Sequence, residues 1–447
     1  MFDDPSADGS QVPADRRSDD PERSLVVRYL RLRWVAVVST AVLMAGFLLA
    51  SFVIAPLIVH SAGWRYPPDL WDTYQLAKNI TVGDYANIYN ESSRVASPAI
   101  MLLLLPLEQL TQHLGLTTGF GFPVWRPSAW PIVAPVSVLL CAPALFGADA
   151  MAEEIGAGSR RRVAIGLCGA VALGNVLWWG HPEDALAVAF LLFAMRAALG
   201  KRWALCAWLL GVGFAFQPLI GLAVPVVVLS AGWRRLPSLV LRILAPAAAL
   251  LLVPFASDWP DTYRAVVVQP VFPNLVRPTV WVRFAPHIAN ETWMGGRSVA
   301  GGPTRLISVA IAIGVGVWFM RTERSPQLLV WCVALVLSAR VLFEAGVAPY
   351  YVWPPLAVVL VSGAVLPWRR LSLTCLCALG VTWVANVRIY TEWIWWPICA
   401  GLVLSLIVAF PRGTREQDGD TRAAVAPVDQ EMLEPVWGDP APVGARP

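Results

Sequence analysis

The chain is 447 residues long, 57% apolar and only 14% charged, with a formal net charge of +4. A soluble chain of this length carries nearer a quarter charged residues, so a soluble globular protein is excluded, and so small a charge surplus makes no case for a nucleic-acid partner. The apolar residues come in runs of about twenty, enough to cross a ~30 Å hydrocarbon core, and the chain reads as an all-α, polytopic membrane protein.

Residues 1–24 are polar and rich in Asp, Ser, Pro and Arg, and predict a disordered tail rather than a signal peptide. Arg28, Arg31 and Arg33 abut a first span from Val35 to His60. Because flanking cations stay on the cytoplasmic side, the tail is expected in the cytoplasm and the following loop outside. That loop contains Pro67 to Tyr89, PPDLWDTYQLAKNITVGDYANIY, where acids, tyrosines and Lys78 gather. A helix over 70–82 places Asp69 and Asp72 on one face, with Tyr74 about one turn beyond. Two readings stand: the loop holds a catalytic carboxylate, or it is an amphipathic interfacial helix with solvated acids.

The run Pro98 to Leu107 is too short to cross. It continues as LEQLTQHLG, whose Glu108, Gln109, Gln112 and His113 cluster along one face, so a helix lying in the interface is expected. The first outer loop then runs over 61–128. With that choice six later basic clusters all fall inside: Arg160 to Arg162, Lys201-Arg202, Arg234-Arg235, Arg321 with Arg324, Arg369-Arg370, and Arg412 with Arg415. The pattern needs spans near 130–148, 163–179, 184–200, 203–217, 219–232, 238–255, 304–320, 327–343, 351–367, 370–387 and 392–410. About twelve transmembrane helices result, forming one domain over 25–411 with both termini cytoplasmic, and 412–447 is a second disordered tail. The seven Cys all sit in apolar runs without a CxxC pair and read as packing residues. A phosphate-binding P-loop is absent, which argues against an ATP-driven pump.

Polar residues then concentrate outside. Trp178 to Asp184 reads WWGHPED, where Gly180 and Pro182 break the helix beside His181, Glu183 and Asp184. This is either a rim that binds a polar group or a helix start whose dipole favours two acids. The second outer loop, 256–303, keeps Arg264, Arg277, Arg283 and Arg297 against the positive-inside trend, which suits recruitment of phosphate. Arg340 and Glu344 have the spacing of an intrahelical ion pair. Tyr350-Tyr351-Val352-Trp353 begins a span with aromatics, a belt signature first and a sugar- or lipid-contact surface second. The four histidines match no metal motif, and three N-x-S/T triplets start at Asn79, Asn90 and Asn290.

Over residues 30–410 this pattern resembles the GT-C superfamily of membrane glycosyltransferases, the bacterial mannosyltransferase-like members above all. The similarity lies in Asp69, Tyr74, Ala77, Gly83 and Tyr85 or Tyr89, followed by the proline-led Pro98 to Leu107 helix. Gly180 to Asp184 is similar to the short second outer motif, and Gln217-Pro218 to a Lys-Pro pair in which Gln here replaces Lys. The resemblance implies transfer of a sugar from a polyprenyl-phosphate-linked donor to a cell-envelope glycolipid or polysaccharide acceptor. The resemblance implies that this reaction takes place on the outer face of a bacterial plasma membrane. It implies Asp69, with Asp72 as the alternative, as catalytic base, and Tyr74, Lys78, His181, Glu183, Asp184, Arg283 and Arg297 as substrate-binding residues. No metal ligands are assigned, and a divalent cation is left open. A multi-span transporter or lipid flippase is the alternative function, and a non-catalytic scaffold a third.

Overall fold

The computed structural model describes residues 29–58, 67–89, 97–117, 126–271, 277–293, 296–301, 304–322, 324–387 and 391–411. The predicted tails 1–24 and 412–447, together with His60, Asn90, Gly295 and Gly302, lie outside the described residues. The chain begins with α1, Trp34–Leu49, which continues through a π-helical bulge at Ala50–Ile54 to Ile58. Helices α2 (Pro68–Thr81) and α3 (Pro98–His113) follow. Next come α4 (Trp130–Glu154), α5 (Ser159–Trp179), α6 (Pro182–Leu199) and α7 (Trp203–Phe216). A 3₁₀ turn, Pro218–Ala223, leads into the short α8 (Val224–Leu229), then α9 (Leu236–Ser257) and α10 (Trp259–Tyr263). Three short strands precede α11 (Thr304–Arg321): β1 (Arg277–Pro278), β2 (His287–Trp293) and β3 (Gly296–Val299). The chain closes with α12 (Pro326–Phe343), β4 (Gly346–Val347), α13 (Trp353–Gly363), α14 (Trp368–Asn386) and α15 (Trp395–Ala409).

Among the described residues seven helical segments are long and apolar enough to cross a membrane: those at 34–57, 130–154, 159–179, 233–257, 304–321, 326–343 and 392–409. The protein is therefore an all-α integral membrane protein. The other predicted spans are helical too but are too short, too charged or too low in mean hydropathy. Helix α6 carries Glu183, Asp184 and Arg196, α14 starts with two arginines, and α7, α8 and α13 are short. Burial explains the difference. Every residue of α13 is buried, and so is most of α6, whereas the longer α1 and α9 leave broad apolar faces open. The longer helices thus wrap a pair whose surroundings are protein.

Hydrogen bonds sort the helix termini into two sets, one at each end of the bundle. At one end Arg161 donates to the Val365 carbonyl, Gln327 to Ile155, Arg324 to Ser230 and Arg370 to Val408. Here Arg33 and Arg162 also clasp the buried Asp149 at 3.4 and 3.0 Å, joining α1, α4 and α5. At the other end Trp179 donates to Asn386, Asn175 to the Pro349 carbonyl, Trp281 to Leu342 and Trp130 to Ser51 in the α1 bulge. This second end carries α2, α3 and the strands.

The segment 256–303 departs from the expected open loop. Strands β2 and β3 pair antiparallel, His287 opposite Val299, and β1 pairs with β4, Arg277 opposite Val347. The β-prone residues there are interleaved with charges, which hid the strands from a reading by apolar runs. The four predicted polar residues of α3 also part company. Gln109, Gln112 and His113 are exposed, but Glu108 is buried and accepts from Thr81 Oγ1 at 2.9 Å, so one acid of the expected wet face fastens α3 to α2.

Candidate functional site

Helix α2 starts with Pro68 at its first turn, where the missing N–H costs nothing, and with Asp69 placed to meet the helix dipole. It ends in a Schellman turn: Gly83 adopts φ +74°, Gly83 N–H bonds Ile80 and Asp84 N–H bonds Asn79. Helix α5 ends the same way. Gly180 adopts φ +85°, and His181 N–H bonds the Val176 carbonyl at 3.0 Å. Pro182 then opens α6, so His181 is pinned between one helix end and the next helix start.

The start of α2 lies directly on this junction. A Cβ at Gly180 would stand 2.6 Å from the Leu70 nitrogen and 2.7 Å from Pro67 Cβ, so only glycine admits the approach. The contact delivers Asp69 to His181. Nε2 of the ring bonds Asp69 Oδ2 at 2.9 Å and Nδ1 bonds Glu183 Oε1 at 2.7 Å. Two carboxylates on two ring nitrogens require both to be protonated. Burial alone pulls the imidazole pKa down, but the charge of Glu183 and the hydrogen bonds to Asp69 and Glu183 outweigh it and hold His181 well above its ordinary value. The Tyr350 ring stacks on His181 with centroids 3.6 Å apart. Beneath, Asp184 is fully buried and accepts from Gln217 Nε2 at 2.5 Å, while Glu183 Oε2 and Asp184 Oδ2 have no hydrogen-bond partner among the described residues.

The expected residues divide accordingly. Asp69, His181, Glu183 and Asp184 come together. Asp72, one turn on from Asp69, is exposed, as is Lys78. Tyr74 turns the other way: it is buried, its hydroxyl donates to the Leu107 carbonyl at 3.0 Å and meets Thr111 on α3. Burial, with an adverse charge from Glu108, pushes that phenol up to about 12 against the opposing Thr111 bond. Arg283 is exposed and lies 3.6 Å from Glu392, away from this cluster. The Arg297 side chain lies outside the described residues.

Sequence reading missed the Tyr350 contact, because an aromatic at a span start is first a belt residue. It also missed Arg305, which pairs with Glu344 at 3.0 Å, and the link from Gln217 to Asp184. The available signal was an arginine just inside a span on the side where arginines are scarce. Among the described residues no group of three or more His, Cys, Asp and Glu is arranged to hold a metal ion.

No protein-family model matches the chain, and no curated protein is significantly similar to it. The functional reading rests on the residues themselves.

Proposed function

We propose that the chain is a membrane glycosyltransferase that moves a sugar from a polyprenyl-phosphate donor to a cell-envelope glycolipid or polysaccharide. The observation that carries this reading is the half-exposed Asp69 held by a mostly buried, charged His181 that is itself anchored by Glu183. Asp69 Oδ2 is engaged by His181, and the Asp69 side chain is 40% exposed. In the reaction Asp69 takes the proton of the acceptor hydroxyl as that oxygen bonds to the anomeric carbon. The bond from that carbon to the phosphate oxygen breaks, and its electron pair leaves with the polyprenyl phosphate. Configuration at the sugar is inverted. His181 keeps Asp69 oriented, and Tyr350 fixes the imidazole plane.

In this reading all twelve helical passes cross the bilayer of a bacterial plasma membrane, and the end bearing Asp69 faces outward. The exposed Arg160, Lys201, Arg202, Arg234, Arg235 and Arg369 support the orientation, since they belong to the opposite end. Helices α2 and α3 lie at the outer interface.

The test is direct. Asp69→Asn and Asp72→Asn are purified, and transfer from a polyprenyl-phosphate sugar is measured. Loss in the first with retention in the second is expected; full activity in Asp69→Asn ends the reading. A transporter remains the second reading, favoured by the buried Glu183 and Asp184 at the head of α6, since intramembrane acids mark ion paths. Solute uptake by proteoliposomes without sugar transfer selects it.

A further inference from the structure

A second charged cluster lies at the same end of the bundle, outside the Asp69 site. Glu344, 1% exposed, follows α12 and accepts from two arginines. Arg305 Nε, from the first turn of α11, reaches both carboxylate oxygens at 3.0 and 3.3 Å, and Arg340 Nη1 reaches Oε2 at 2.6 Å. The count of charges is two against one, so the cluster keeps a net positive charge in a largely buried place. The Arg340 Nε is buried with no hydrogen-bond partner among the described residues.

The neighbours that hold these groups, Gln269, Gly301, Thr279 and Tyr351, are uncharged and do not neutralise them. Gln269, a non-glycine residue at φ +48°, turns its side-chain oxygen to Arg305 Nη1 at 3.2 Å. A strained backbone at such a point is a feature of functional sites. Gly301 packs directly under the Arg305 guanidinium, which would collide with any Cβ there. Thr279 Oγ1 donates to the Glu344 backbone carbonyl at 2.6 Å and anchors the main chain that carries the carboxylate. Arg340 lies over the Tyr351 ring at 5.6 Å, and Tyr351 meets Tyr350 edge to face with centroids 5.0 Å apart. Tyr350 in turn covers His181. Two adjacent tyrosines therefore connect a carboxylate site to a cationic one.

We infer that Arg305 and Arg340 form the seat of a phosphate group, with Glu344 as the fixed counter-charge that spaces their guanidiniums. The guanidinium fork matches phosphate oxygens, and a net charge of one sign invites an anion. This inference rests on the glycosyltransferase reading for its ligand, a phosphate ester carrying an isoprenoid chain. It moves the phosphate contact from Arg283, which is exposed and faces Glu392, to two arginines one tyrosine pair away from His181.

The experiment titrates the full-length protein in lipid nanodiscs with farnesyl phosphate, farnesol and inorganic phosphate by calorimetry. Farnesyl phosphate is expected to bind and farnesol not to. Arg305→Gln and Arg340→Gln are each expected to weaken farnesyl phosphate on the order of ten- to a hundredfold, the loss of one charged hydrogen bond. Arg340→Gln leaves Glu344 paired to Arg305, so its buried carboxylate keeps a partner. Gly301→Ala keeps every charge and only displaces the Arg305 guanidinium; a roughly threefold or greater weakening is expected from the lost alignment. Wild-type affinity in both arginine variants, or no binding of either phosphate to the native protein, overturns the seat. Inorganic phosphate binding as tightly as farnesyl phosphate, and lost in the same variants, keeps the seat and removes the lipid-linked donor.

Discussion

Replacing Gly180 by alanine tests whether the site is assembled by one backbone contact. Two costs arise. A residue with a Cβ at φ +85° pays roughly 1–2 kcal/mol for the left-handed conformation. The new methyl also meets the Leu70 nitrogen at 2.6 Å, where ordinary contact begins near 3.4 Å. The start of α2 must then retreat by about 0.8 Å, since core packing gives little. Asp69 moves with it. Its 2.9 Å bond to His181 lengthens past the range of a good hydrogen bond. A charge-assisted bond contributes about 1.5–3 kcal/mol, and the low end applies because the Asp69 side chain is 40% exposed. The summed destabilisation is therefore about 3 kcal/mol. The readout needs no substrate. With only four histidines in the chain, ¹⁵N-histidine NMR resolves the ring of His181, assigned by His181→Gln. The native imidazole should stay charged well above the usual range, and in Gly180→Ala its pKa should fall toward it, alongside a lower melting temperature. An unchanged His181 titration in a folded Gly180→Ala protein refutes the claim that Gly180 seats Asp69.

The remaining predictions concern the ring and its neighbour. Since the His181 pKa is raised in the folded state, its stabilisation is full below the ordinary imidazole pKa and lost as pH rises through the folded value. The melting-temperature gap between native protein and His181→Gln should thus be largest in mild acid and shrink in alkali; a gap that grows with pH contradicts the assigned charge. Tyr74→Phe should cost about 1 kcal/mol in stability through its lost bonds to Leu107 and Thr111, with donor affinity unchanged, because that hydroxyl points into α3. A large rise in KM for the donor returns Tyr74 to the substrate.

How much was legible follows from what each signal measures. Apolar run length marks where a helix can sit, and the segments from 34–58 to 395–409 lie close to where composition put them. It does not mark which helices touch lipid. The short α13 is buried along its whole length, and its aromatic start is a site wall rather than a belt. Turn chemistry was partly visible. The glycine and proline around His181 announced a break, but not that Pro67 and Leu70 rest on Gly180, a contact 110 residues apart in sequence that no local pattern encodes. The pairing of Arg340 with Glu344 was readable as an i, i+4 spacing, whereas Arg305 joined it only through the packing of α11 on α12.

Two of the arginines beside the predicted spans are not free charges. Arg33 and Arg162 entered the positive-inside reading as free charges beside a membrane. Both are buried, and both clasp Asp149 and Glu153, so neither offers a bare cation to the bilayer surface. A buried, compensated arginine says little about sidedness, because the rule works through charges that resist translocation while still unpaired. Arg160, Lys201, Arg202, Arg234, Arg235 and Arg369 remain exposed at their helix ends, and the sidedness rests on them. At the other end the outlying arginines Arg305 and Arg340 are compensated only in part, two charges to one. Retaining a surplus there, where the topology rule disfavours it, has a cost in insertion that a purely structural ion pair would avoid. That asymmetry is the reason to look for an anion at Arg305 and Arg340 and not at Arg33 and Arg162.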